Sequence, residues 1–129
     1  MKQLWFTSSK FKPLPGEEEK TNPGRFGQDL ANWIKNSLEN MGYRIEEEPI
    51  PEDWGWVVIL QRKPFSLWIG CGNEDGEKTR WGIFVEAKQG IFQRLFKKID
   101  TKSLVLKIEN DIERLVMESG FEDIEWEHL

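Results

Sequence analysis

Few side chains in this chain could do chemistry, and their placement limits what they could do. Cys71 is the only thiol and His128 the only imidazole in 129 residues. A zinc site takes about four ligands at short spacing, so one could be assembled only with unusual carboxylate ligation. No cofactor is expected. Asn73-Glu74-Asp75-Gly76-Glu77 places oxygen ligands around a glycine. It lacks the alternating Asp/Asn positions and distant glutamate of a calcium loop, and reads instead as a hairpin tip. Cys71 falls on the apolar side of a predicted strand with Phe65, Leu67 and Ile69, where burial raises a thiol's pKa and leaves it inert. His128 is next to the last residue, a poor position for the base of a nucleophilic triad. Neither Gly70-Cys71-Gly72 nor Asn22-Pro23-Gly24-Arg25 has the lysine and spacing of a phosphate loop.

One cluster stands out. Glu52 and Asp53 adjoin Trp54-Gly55-Trp56, and a carboxylate packed on indole rings can be raised enough to act as acid or base. The plainer reading has Asp53 bonding the backbone of its own turn while the tryptophans pack on a sheet. Gly55, between two indoles, is expected at a backbone conformation or close approach that excludes a side chain. Aromatic walls with a few convergent polar groups also suit a small-molecule pocket. Such a pocket would draw on Asp53, Trp54, Trp56 and Trp68, with Arg62 or Arg80 orienting an anionic group.

The elements that must position these residues follow from periodicity. Apolar runs at 56–62, 65–71 and 80–87, bounded by Gly, Pro, Asn and Asp, predict an antiparallel meander across 56–87. Phe65, Leu67, Ile69 and Cys71 share one face with Trp68 opposite, and Trp81, Ile83, Val85 and Ala87 share a face of the third strand. Further strands are predicted near 3–9, 43–49 and 122–127. Phe26, Leu30, Trp33, Ile34, Leu38 and Met41 form the stripe of a helix over 23–41, with Asn22-Pro23 at its start and Gly42 past its end. Leu104, Ile108, Ile112, Leu115 and Val116 mark a second helix over 101–119, capped by Asp100 or Thr101 and ended by Gly120. Ile91, Phe92, Leu95 and Phe96 predict a short amphipathic turn or two. Residues 10–22, rich in proline and glutamate, predict an exposed, mobile loop. The sum is a single α+β domain over 1–129: an antiparallel or mixed sheet of five to six strands with two helices on one face.

Charge narrows the partner class. A net charge of −5 weighs against nucleic acid, which would call for a basic face. No apolar run reaches the roughly 20 residues of a membrane span, and no signal peptide opens the chain. With a lone cysteine, a reducing cytoplasmic location is expected. Six basic residues (Lys88, Arg94, Lys97, Lys98, Lys102, Lys107) precede an acidic stretch from Glu109 to Glu127. Such a bipolar surface suits steering of a protein partner. Seven tryptophans are more than a small core uses, leaving Trp5, Trp54 or Trp68 to line a groove or interface. The leading expectation is a non-catalytic domain that binds a protein, of inhibitor or immunity type. Small-molecule binding near Asp53, Trp54, Trp56 and Trp68 is the alternative.

The stretches PGRFGQDLANWIKNSLENMGY (23–43), PEDWGWVV (51–58) and LWIGCGN (67–73) resemble a family of small bacterial proteins without an assigned activity. That resemblance implies one bacterial-type domain and brings no catalytic residue or cofactor.

Overall fold

The computed structural model describes residues 1–90 and 100–129; the amphipathic turn expected near 91–98 lies outside them. In chain order the elements are β1 (Lys2–Thr7), α1 (Gln28–Asn40), β2 (Ile50–Glu52), β3 (Gly55–Gln61), β4 (Ser66–Asn73), β5 (Arg80–Lys88), α2 (Thr101–Glu118) and β6 (Glu122–His128). The six strands form one sheet in the order β2-β3-β4-β5-β1-β6, every pair antiparallel. Both helices pack on the same side, giving the α+β architecture that two singly amphipathic helices demand. Leu30, Ile34 and Leu38 of α1 and Ile108, Ile112 and Val116 of α2 are buried against Leu4, Phe6, Val58, Leu67, Ile69, Trp81, Ile83 and Val85.

The central meander follows the alternation of its side chains. Phe65, Leu67, Ile69 and Cys71 all face the helices, and so do Trp81, Ile83 and Val85. Asp100 caps α2, its carboxylate accepting hydrogen bonds from the Ser103 amide and hydroxyl. Those bonds hold the Asp100 carboxyl below its ordinary pKa. Gly42 and Gly120 take left-handed φ of 98° and 73° just past the two helices.

Three expectations need correction. The helix expected from Pro23 begins at Gln28, because Asn22-Pro23-Gly24-Arg25 is a turn. The Arg25 amide donates to the Asn22 carbonyl over 3.0 Å. Gly24 takes φ 77°, so proline second and left-handed glycine third make the type II signature. The strand expected at 43–49 is absent. Ile45 turns into the core, Tyr43 reaches α2, and only Ile50–Glu52 pairs with β3. Pro49 and Pro51 flank that start, and Pro51 is tolerated because β2 is an edge.

The third correction concerns the loop at 10–22, which is partly interior. Phe11 is 2% exposed and meets the rings of Phe6, Trp33, Trp81 and Phe121. Glu17, 1% exposed, accepts hydrogen bonds from the amides of Leu14 (2.9 Å), Gly27 (2.8 Å) and Gln28 (2.8 Å). The last two are amides at the start of α1, so a carboxylate ten residues upstream supplies the cap.

Candidate functional site

The meander's outer face, turned away from the helices, gathers the aromatic residues. Val57 and Ile59 of β3, Trp68 of β4, and Phe84 and Glu86 of β5 point this way, in rows fixed by the pairs Val57–Gly70–Phe84 and Ile59–Trp68–Glu86. Gly70 leaves a gap that Phe84 fills. A Cβ built on Gly70 would lie 2.3 Å from two atoms of that ring, so the ring folds across bare backbone. One strand further on, a Cβ on Gly82 would lie 3.0 Å from the Trp5 ring. Ring centroids of Trp54 and Phe84 are 5.2 Å apart, those of Trp68 and Phe84 5.5 Å, and those of Trp54 and Trp68 6.4 Å. Trp5 donates from Nε1 to Glu127 over 3.1 Å.

Trp54 reaches this face from the two-residue turn Asp53-Trp54, since Glu52 pairs with Gly55. Several bonds hold the turn. The Asn22 amide donates to the Asp53 carbonyl (2.8 Å), and Arg25 Nε to the Trp54 carbonyl (3.1 Å). Gly55, at φ 158°, passes so close to β4 that a Cβ would sit 2.4 Å from the Cys71 carbonyl oxygen. Asn73, 1% exposed, ties the end of β4 to the same loop. It accepts from the Phe26 amide (2.9 Å) and donates to the carbonyls of Gly24 (2.9 Å) and Glu77 (2.7 Å).

Beside the cluster runs a groove of about 440 Å³, its floor formed by Val57, Ile59 and Trp68 and one wall by Trp54. Glu52 lies at the β2–β3 turn end. Arg62 and Lys88 lie at the other end, where Gln61 and Ser66 begin the next turn. Arg62 is occupied: it forms a two-pronged pair with Glu47, both contacts 2.8 Å. That hydrogen bonding draws Glu47 down and Arg62 up in pKa.

The residues singled out from the sequence therefore divide. Trp54 and Trp68 come together and Arg62 joins them. Trp56 does not: it is 2% exposed on the helix side, and its Nε1 has no hydrogen-bond partner among the described residues. Asp53 sits exposed at the turn, with no side-chain hydrogen bond among the described residues. Arg80 lies near Trp5 instead, bound to the Asp123 carbonyl (2.7 Å) and Glu125 (2.6 Å). Phe84 was missed, although Gly70 and Gly82, at facing-out positions of two strands, are the signal that large rings lie over them.

Elsewhere the groups are structural. Cys71 is fully buried, and desolvation pushes its thiol far above the ordinary range. Tyr43 donates to Asp111 (2.5 Å) and accepts from Lys107 (2.9 Å), clasping the chain after α1 to α2. Burial, then the bond to Asp111, raises Tyr43. Burial alone would raise Asp111 too, but the bonds from Tyr43 and Lys107 and the charges of Lys107 and Arg114 win and leave it lowered. A second cavity of about 510 Å³ at the start of α2 is lined by Lys2, Glu109 and His128 among others. Burial raises Glu109, against the pull of Lys2 3.8 Å away. Among the described residues no three His, Cys, Asp or Glu side chains converge on a possible metal position, and no helix is long and apolar enough to cross a membrane.

No family model, curated protein or solved structure matches the chain.

Proposed function

We propose that the chain is a non-catalytic protein-binding domain whose contact surface is the outer face of its sheet. The observation that carries this reading is the Trp54–Trp68–Phe84 cluster, half-buried on a face that neither helix covers. Tryptophan and other aromatic anchors beside a polar rim are what binding hot spots are made of. The net charge of −5 and the acidic run through α2 and β6 fit a small inhibitor or immunity factor steered to a cationic target. A lone, buried Cys71 suits a cytoplasmic setting.

Capture on the immobilised chain, wild type beside Trp54→Ala and Trp68→Ala, tests the reading. Loss of the bound protein in both variants, with melting shifted by only a few degrees, is expected. Recovery of nothing above background by a chain that light scattering shows to be monomeric would refute it.

The groove favours one second reading, a small-molecule site walled by Trp54 and Trp68 with Lys88 and Arg62 at one end. Tryptophan fluorescence against a metabolite library tests it, and a saturable shift removed by Trp54→Ala is the expected sign.

A further inference from the structure

The two edges of the sheet differ. β2 is three residues long and carries Pro51, with Pro49 just before it, which suits an edge closed to further pairing. β6 runs over seven residues, and among the described residues no strand pairs with its far side. The Leu129 amide donates to the carbonyl of Met1 (2.9 Å), its partner in the register that sets Lys2 opposite His128. Ladder bonds recur at every second residue, so Glu127 and Glu125 face β1, while His128, Trp126 and Ile124 turn their amides and carbonyls to the open edge.

Side chains along this edge sort by face. On the outer face Glu125 and Glu127 lie beside Trp5, with Glu74 next to them around a cavity of about 210 Å³. Glu122 continues the row opposite Thr7. On the helix side Ile124 and Trp126 pack partly buried against the core, and Trp126 Nε1 donates to Glu113 of α2. The stripe of α2 that carries Glu113 also carries Leu106 and Met117 at helical spacing, and both are exposed. Leu106 lines one cavity with Glu109 and His128, so this flank of α2 lies along the β6 edge. Most cations nearby are engaged: Arg80 with Glu125, Lys2 with Glu109, Arg114 with Asp111. Lys102 stands across the cavity from His128, and Lys10 and Lys78 lie beyond the Thr7 end of the ladder. Against these stand the four acids of β6, with Glu74, Glu109 and Glu113 beside them.

We infer that the β6 edge takes up an extended cationic segment of another protein as a seventh strand. This surface is separate from the Trp54–Trp68–Phe84 face, since β6 is at the opposite end of the sheet from β2 and β3. Main-chain bonds to Ile124, Trp126 and His128 attach the guest, and the alternation of its side chains selects it. A guest residue opposite Glu125 or Glu127 falls on the outer face among carboxylates, where Lys or Arg is favoured. The next residue falls on the helix side, beside Ile124 and Trp126 and near Leu106 and Met117, and is apolar. A second β6 is the wrong guest, because its acidic row would lie opposite this one and like charges across strands destabilise. Charge on an edge strand guards it against stray pairing, but a guard of one sign still admits the other.

Titrating the full chain with a capped peptide of about eight residues, Lys and Val alternating, tests this. Saturable binding is expected, with hydrogen exchange slowed at the outward amides of Ile124, Trp126 and His128. The amides of Glu125 and Glu127, already turned to β1, should change less. His128→Pro removes an outward donor that β1 does not use and should weaken binding about five- to tenfold. Glu127→Gln keeps the acceptor for Trp5, removes one charge and should weaken binding about threefold. Melts check that both variants fold. Two control peptides need no variant: the same residues with every Lys before every Val, and Glu alternating with Val as an acidic strand like a second β6. Binding of either control as tight as that of the Lys–Val peptide overturns the inference. So does absence of binding by the Lys–Val peptide, or binding without protection at Trp126 and His128. Unchanged binding in Trp54→Ala and Trp68→Ala separates this edge from the aromatic face, whereas loss in both moves the peptide to that face and overturns the inference.

Discussion

Replacing Glu17 is the sharpest test of how the first third of the chain is held. Its carboxylate accepts three backbone amides at 2.8–2.9 Å, one from its own loop and two from the start of α1. Glu17→Ala strands three donors where water has little access. Buried unpaired donors cost about 1–3 kcal/mol each, partly recovered as the site relaxes and admits water. The loss of negative charge at a helix N-terminus adds a few tenths to ~1 kcal/mol. A total of about 3–5 kcal/mol follows, or a fall of roughly 12–20 °C in Tm at this chain length.

Glu17→Gln separates chemistry from shape. Its one oxygen can replace Oε2 and keep Gly27 and Gln28, but its amino group then meets the Leu14 amide donor to donor. About 2–3 kcal/mol is expected, clearly less than for alanine. Urea and thermal unfolding read by tryptophan fluorescence measure both, and hydrogen exchange at Leu14, Gly27 and Gln28 localises the loss. A glutamine variant within ~0.5 kcal/mol of wild type, or equal losses for both variants, would refute the idea that this carboxylate closes the loop onto the helix.

Other outcomes follow from the same geometry. Gly55→Val drives a branched side chain into the Cys71 carbonyl 2.4 Å away and should cost about 3–5 kcal/mol in chemical denaturation, strain and overpacking together. Trp56→Ala empties a core position and should cost about 3–5 kcal/mol, whereas Trp54→Ala, which loses ring contacts on the outer face, should cost about 1–2 kcal/mol; comparable thermal shifts for the two would place both rings in the core. Asp111, lowered in the folded state, stabilises the protein above the ordinary aspartate pKa and loses that contribution as pH falls through the lowered value. Tyr43→Phe removes one of its donors, so the Asp111 titration followed by carboxyl NMR should move up toward the ordinary value, and an unchanged midpoint would disprove the clasp.

Much of this architecture was legible in the sequence because it depends on local repeats. Two-residue alternation put Cys71 with Leu67 and Ile69 and sent Trp68 the other way, and 3–4 spacing marked both helices. What the sequence hid was longer in range or ambiguous in sign. Glu17 looked like one of three glutamates in a solvated run, and nothing near it says that its carboxylate ends under α1. Asn22-Pro23 serves equally as a helix start or a turn, and Gly24 decides for the turn. At 43–49 the β-prone residues are real, but Tyr43 and Ile45 are claimed by α2 and the core rather than by a neighbouring strand. The candidate site was half legible. Trp68 could be placed on the outer face from the alternation of its strand, but Trp54, in the turn before β3, could not, and Arg80 lies four positions from Phe84 along β5, engaged with β6.

Strand β1 has a place in the sheet that its place in the chain does not suggest. It is the first of the six strands in chain order yet lies between β5 and β6, with the Leu129 amide donating to the Met1 carbonyl at the outer end of that pairing (2.9 Å). At 5–20 residues per second of synthesis, β1 waits roughly 4–16 s before its first partner, Arg80–Lys88, has emerged, and longer for the second. During that interval Leu4 and Phe6 have no sheet to join, and both edges of the strand are open to foreign chains. Closure then requires pairings between the two ends of the chain, which places folding in the slow, high-contact-order class. A nascent chain stalled before β6 would still keep one long edge of β1 unpaired, so the exposure ends only when β6 has been made.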